Sequence, residues 1–112
     1  FASWCQPCRV EHEYIKLLSK NKSLEIIGVN YKDNKKNAIE WLKKLGNPYT
    51  AIAVDKKGDI AIDWGVYGIP ETYVVSSSGV IKYRHVGPVN EKIRSNKQKS
   101  TQVSPQSKQG SL

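Results

Sequence analysis

The chain holds only two cysteines, and they stand two residues apart in Trp4-Cys5-Gln6-Pro7-Cys8. A run with helical periodicity follows directly, with Val10, Tyr14, Leu17 and Leu18 at spacings of three and four. The pattern predicts Cys5 at or just before a helix N-terminus. Pro7 falls in the first turn, where its missing N–H costs nothing. Free backbone N–H groups and the positive end of the helix dipole stabilise a thiolate at such a position. A cysteine there has its pKa lowered by one to several units from about 8.5. Cys8, one turn further in, is placed to resolve a mixed disulfide made by Cys5. The chemistry that these residues fit is dithiol–disulfide exchange, with Cys5 the more reactive thiol.

Two other uses of the same residues compete with this one. A purely structural bridge at this spacing closes a very small loop and stabilises little. A zinc site needs two more ligands, and only His12 and His85 are available. His12 lies one turn past Cys8, so a Cys-Cys-His-His set is conceivable, but the histidines lack the usual paired spacing. Redox chemistry is favoured, with no metal and no cofactor.

The elements that must position the cysteines follow in order. A helix is expected from about Pro7 to Lys20, then a largely buried strand over Leu24–Tyr31, rich in β-branched residues. Phe1-Ala2-Ser3 reads as the tail of an earlier strand, which makes a strand–helix–strand unit. A polar turn at Lys32-Asp33-Asn34 leads to a second helix from about Lys36 to Leu45, with Ala38, Leu42 and Leu45 along one face and Ile39 beside them. Gly46 and Asn47-Pro48 end it. Thr50–Val54 reads as a short strand, and Ile60–Trp64 as either strand or loop. Beyond Pro70, Thr72–Ser76 and Val80–Val86 form a hairpin around Ser77-Ser78-Gly79. Glu91-Lys92-Ile93 could open a further helix. From Ser95 on, Ser, Gln and Lys dominate, so residues 95–112 are expected to be a disordered low-complexity tail and residues 1–94 the domain.

Composition narrows the function classes. A chain of 112 residues is one domain at most. It has no methionine, so residues are expected upstream of Phe1, and any signal peptide or membrane anchor would be among them. No apolar run approaches the roughly 18 residues of a membrane span. The formal net charge is +8. Lys97, Lys99 and Lys108 lie in the acid-free tail, so residues 1–94 hold 15 of the 18 bases against all 10 acids. Those bases are scattered along helices and turns without a stripe of Arg and aromatics, which disfavours nucleic acid as a partner.

With the motifs in place, the chain resembles the thioredoxin-fold proteins of the DsbE/CcmG branch. The resemblance rests on Trp4–Cys8 followed by Arg9-Val10-Glu11-His12, on Gly28–Asp33, on Trp41–Tyr49, and on Asp63–Thr72 with its Gly65-Val66-Tyr67-Gly68-Ile69-Pro70-Glu71-Thr72 run. It extends from Phe1 to about Asn90. It implies an α/β thioredoxin-like fold of three layers, α/β/α, N-terminally truncated and lacking the central strand before the Cys-X-X-Cys motif. It also implies a thiol–disulfide oxidoreductase of the periplasm, anchored to the bacterial inner membrane, that acts as a reductant in cytochrome c maturation.

By the same resemblance, the substrate is apocytochrome c or a maturation protein, and a DsbD/CcdA-type membrane protein donates electrons. Cys5 is then the exposed nucleophile and Cys8 the resolving cysteine, with Trp4 and Pro7 supporting them. Pro70 matches a cis-proline that lies against the active site and offers backbone to an extended peptide. Glu11 and Glu71 match groove-lining acids, although solvated surface carboxylates fit their spacing equally well. A general thioredoxin-like reductase and a non-catalytic fragment are the alternative functions.

Overall fold

The computed structural model describes residues 1–90. The further helix expected at 91–93 and the tail at 95–112 lie outside the described residues. Helix α1, Gln6–Leu18, begins where Cys5 leaves extended backbone (φ −97°, ψ 109°) and acts as N-cap. Its buried stripe is Cys8, Glu11, His12, Ile15 and Leu18. The face expected from apolar periodicity is therefore corrected: Val10 is 59 % exposed and Leu17 also faces outward. The physical reason is that two polar residues belong to the inner stripe because each finds a hydrogen-bond partner there. The Val89 N–H donates to Glu11 at 2.9 Å, and His12 Nε2 pairs with the Gly46 carbonyl at 2.7 Å.

Strand β1, Ile27–Tyr31, is shorter than the strand expected from residue 24. Helix α2, Lys35–Leu45, opens on Asn34, whose side chain accepts the Asn37 N–H at 3.0 Å. Gly46 closes it at φ 97°, a backbone conformation that glycine alone adopts without penalty. Inside α2, Ala38, Trp41 and Leu42 are buried while Ile39 is exposed. Strand β2, Ala51–Asp55, then runs parallel to β1, with Ile27 opposite Ala51 and Tyr31 opposite Asp55. A parallel pair requires a crossover, and α2 supplies it. The segment left open between strand and loop is a short helix, α3, Asp59–Asp63. Its start is held by Asp55, whose carboxylate accepts the Ile60 and Ala61 N–H groups at 3.1 and 2.9 Å.

Strands β3, Glu71–Val75, and β4, Ile81–Val86, form the expected antiparallel hairpin, with a bulge between Val74 and Val75. The two strand pairs are separate sheets. Phe1 extends the first: its backbone N–H donates to Val29 O, and its carbonyl accepts the Tyr31 N–H, both at 2.8 Å. Helix α1 and the end of α3 lie on opposite faces of β3, giving three layers. Val74 packs with Ile15 and Leu18 of α1, whereas Tyr73 points the other way and meets Trp64 at the end of α3, ring centroids 5.0 Å apart.

Two apolar clusters form the core. One joins Ile15 and Leu18 to Leu24, Ile26, Val74 and Val89. The other joins Cys5 and Cys8 to Phe1, Ala2, Trp41 and Leu42, with Tyr49 packed against both. Tyr49 also dictates the residue at position 28. A Cβ added to Gly28 would lie 2.8 Å from the Tyr49 ring. Gly28→Ala should therefore destabilise the domain by about 1–3 kcal/mol, as overpacking does. Urea denaturation of the two proteins checks this, with an unchanged midpoint contradicting the close approach.

Candidate active site

The site begins with a tight turn, in which the Cys5 N–H donates to the Ala2 carbonyl at 3.1 Å. Ser3 and Trp4 occupy its centre, and both are tied to the loop after β1. Ser3 gives its N–H and its hydroxyl to the two oxygens of Asp33, each at 2.7 Å. Trp4 Nε1 donates to the Lys32 carbonyl at 3.0 Å. Although 57 % exposed, the indole is thus held in place, tilted over the Tyr31 ring at 6.3 Å.

Cys5 and Cys8 are joined by a disulfide, with Cα atoms 5.3 Å apart. The Cys8 N–H also points at Cys5 Sγ, at 3.2 Å. An N–H from the first helical turn is thereby aimed at the sulfur that would carry charge in the dithiol form, the arrangement that stabilises a thiolate. Pro7 lies exposed in the first turn of α1, where the sequence predicted it. The expectation of an exposed Cys5 is corrected. Its residue is 5 % accessible and that of Cys8 1 %, because Ile69 and the second core cluster pack against the turn. Cys5 remains the more accessible of the two.

Ile69-Pro70 is a cis peptide bond. The Ile69 carbonyl lies 4.0 Å from Cys5 Sγ, so the proline loop and the disulfide meet across 64 residues of sequence. Pro70 and Glu71, with Tyr67, Ile69 and Arg84, line a cavity of about 290 Å³ beside it. Tyr67 is 96 % exposed at its rim.

Both candidate carboxylates are buried, which removes the reading of either as a solvated surface group. Glu11, one turn past Cys8, accepts the Val89 N–H at 2.9 Å. Its charge also reaches Tyr49: burial first, and the Glu11 carboxylate second, push that phenol well above its ordinary value. Glu71 is held elsewhere. One oxygen takes Arg84 Nη2 at 2.9 Å and Nε at 3.0 Å, and the other takes the Tyr67 N–H at 3.3 Å. Arg84 in turn donates to the Gly65 carbonyl at 3.0 Å. Glu71 therefore ties down the loop that carries Pro70, and its charge is met by a guanidinium. The sequence reading missed Arg84, Ser3 and Asp33. Asp33 stands in the sequence as part of a polar turn and as the end of the Gly28–Asp33 run, with no role assigned to it.

The two histidines have separate partners, Gly46 for His12 and Pro88 for His85. His12 is sandwiched in the core, its ring 4.6 Å from that of Trp41. Burial lowers its pKa below the usual 6.5, outweighing the Gly46 bond, which raises it. Because the unfolded chain takes up this proton first, stability supplied by neutral His12 is complete above about pH 6.5 and is lost as pH falls below it. Unfolding free energies measured from pH 7.5 to 5 should fall on this limb. His12→Gln, which retains a donor for Gly46, should flatten it, and an unaltered slope would contradict the assignment.

Comparison with known proteins agrees with this geometry. The redoxin family model matches residues 1–101. The chain is 57 % identical over 88 residues to the thiol:disulfide interchange protein CycY of Rhizobium leguminosarum bv. viciae, covering 79 % of this chain and 47 % of that protein. It is 50 % identical over 93 residues to the thiol:disulfide interchange protein DsbE of Haemophilus influenzae, covering 83 % of this chain and 51 % of the relative. The chain thus spans about half the length of the curated relatives it matches. Among solved structures, a Chlorobium tepidum protein assigned as DsbE superposes with a TM-score of 0.75 at 27 % identity, over 88 % of this chain and 71 % of that one. StoA from Bacillus subtilis shares the fold, with a TM-score of 0.69 at 23 % identity, over 85 % of this chain and 75 % of that one.

Proposed function

The chain belongs to the redoxin family, and on that premise we propose that it is a thiol–disulfide oxidoreductase working through the Cys5–Cys8 couple. The observation that carries this reading is Cys5 at the N-cap of α1, bonded to Cys8 and lying against the Ile69-Pro70 backbone. In the dithiol form, the Cys5 thiolate attacks one sulfur of a substrate disulfide. That S–S bond breaks, the departing sulfur leaves as a thiolate that takes up a proton, and Cys5 is left in a mixed disulfide. The Cys8 thiolate then attacks Cys5 Sγ, releases the second substrate thiol and forms the intramolecular disulfide. Two electrons pass to the substrate, and the protein ends in the disulfide form described above.

The substrate is read as an extended segment of apocytochrome c, or of a maturation protein, laid along the 67–70 backbone beside Pro70. The protein would keep haem-attachment cysteines reduced in the periplasm. A longer form would be anchored to the inner membrane and recharged by a DsbD/CcdA-type donor. Support comes from the motifs shared with the DsbE/CcmG branch and from the buried Glu11 on the same helical stripe as Cys8. A carboxylate there opposes a second negative charge, so it favours the disulfide over the thiolate and gives the couple a reducing bias. Glu71 adds less to that bias, because Arg84 meets its charge.

Two measurements test the proposal. Cys8→Ser should trap a mixed disulfide through Cys5, whereas Cys5→Ser should trap none; the reverse pattern would exchange the two roles. Equilibration with glutathione should give a potential below roughly −180 mV, on the reducing side of disulfide isomerase. A value near the −120 mV or so of a strong oxidant such as DsbA would turn the assignment from reductant to oxidase.

A further inference from the structure

We propose that Asp33, together with the backbone of Lys32, forms a brace that fixes the Cys5 turn, which makes Asp33 a positioning residue for disulfide exchange; this rests on the oxidoreductase reading above. Cys8 is fixed by its place inside α1, but Cys5 precedes the helix and owes its position to the Ala2–Cys5 turn. Both central residues of that turn are tied to the same two-residue stretch. The Ser3 N–H and hydroxyl are held by separate oxygens of Asp33, and the Trp4 indole by the Lys32 carbonyl.

The brace is itself anchored. Asp33 also accepts Asn30 Nδ2 at 3.1 Å and the Asn34 N–H at 2.8 Å, so its carboxylate receives four donors. Lys32 has φ 45°, the one positive value among the described non-glycine residues, and its N–H is held by the Asp55 carbonyl at 2.9 Å. A strained backbone of this kind persists only where the surroundings over-determine it, and such residues gather at functional sites.

The consequence falls on one redox form more than the other. In the disulfide, the covalent bond already holds Cys5 beside Cys8. In the dithiol, only the turn and its brace do so. Cutting the brace therefore frees Cys5 in the dithiol alone, lowers the effective concentration of one thiol at the other, and disfavours ring closure.

The test compares equilibrium constants against glutathione for the parent chain, Ser3→Ala, Trp4→Phe, Asp33→Asn and the Ser3→Ala/Asp33→Asn double variant. The two neutral variants should each lower the constant for disulfide formation by about threefold, on the scale of one typical hydrogen bond. The double variant should fall short of the product of its single effects, because Ser3 and Asp33 act through shared bonds. If Asp33→Asn shifts the constant while Ser3→Ala and Trp4→Phe match the parent, charge is acting and the brace is refuted. If all variants lose thermal stability but keep the parent's constant, the contacts are structural only and the brace is again refuted. A parent chain that never equilibrates with glutathione would instead overturn the oxidoreductase reading.

Discussion

The packing of α1 carries this structure, because among the described residues no backbone hydrogen bond joins the β1–β2 pair to the β3–β4 pair. Side chains of one helix bridge them instead. Ile15 and Leu18 reach Val74 on β3 and also Leu24 and Ile26 just before β1, while Cys8 meets Phe1, Trp41 and Leu42. Polar bonds from the same stripe extend the hold to Val89 through Glu11 and to Gly46 through His12. A buried polar group left unpaired costs on the order of 1–3 kcal/mol, so these two residues fix the helix's rotation as firmly as its aliphatics do. An α1 turned to bury Val10 and Leu17 would carry both side chains away from the Val89 N–H and the Gly46 carbonyl and leave those two groups unpaired.

That explains which parts of the fold were legible in the sequence. Local chemistry was: the proline in the first turn, the glycine at the end of α2, and the hairpin around Ser77-Ser78-Gly79 each depend on a few neighbouring residues. The buried face of α1 was not, since counting aliphatics selects Val10 and Leu17 over Glu11 and His12. What admits those two to the core is Val89 and Gly46, 78 and 34 residues away. Helix α3 was hidden for a similar reason. Its first N–H groups are satisfied by Asp55, at the end of the preceding strand, and five residues carry little periodicity of their own.

The site divides along the same line. Cys5 and Cys8 announce themselves by spacing, and Pro70 and Glu71 through the shared run that contains them. The groups that hold those residues in place do not. Asp33 grips Ser3 from 30 residues away, and Arg84 meets Glu71 across the hairpin from 13. Arg84 lies in an ordinary outer strand, and Asp33, though it ends the shared Gly28–Asp33 run, reads there as an ordinary turn residue, so their roles emerge only from three-dimensional distances.

Joined this way, the chemistry cannot be separated from the core. Cys8 is both one half of the disulfide and a member of the second apolar cluster, and Ile69 packs against that cluster while presenting its carbonyl to Cys5. The cysteine turn and the proline loop thus reach the same cluster from opposite strand pairs, the turn through Phe1 and β1, the loop through β3. Their relative position is set by side-chain packing and not by a shared ladder of hydrogen bonds. Packed interiors transmit even small volume changes. A substitution at Trp41 or Leu42, outside the motif, therefore acts on the spacing between the Cys5 sulfur and the Ile69-Pro70 backbone through the shared cluster.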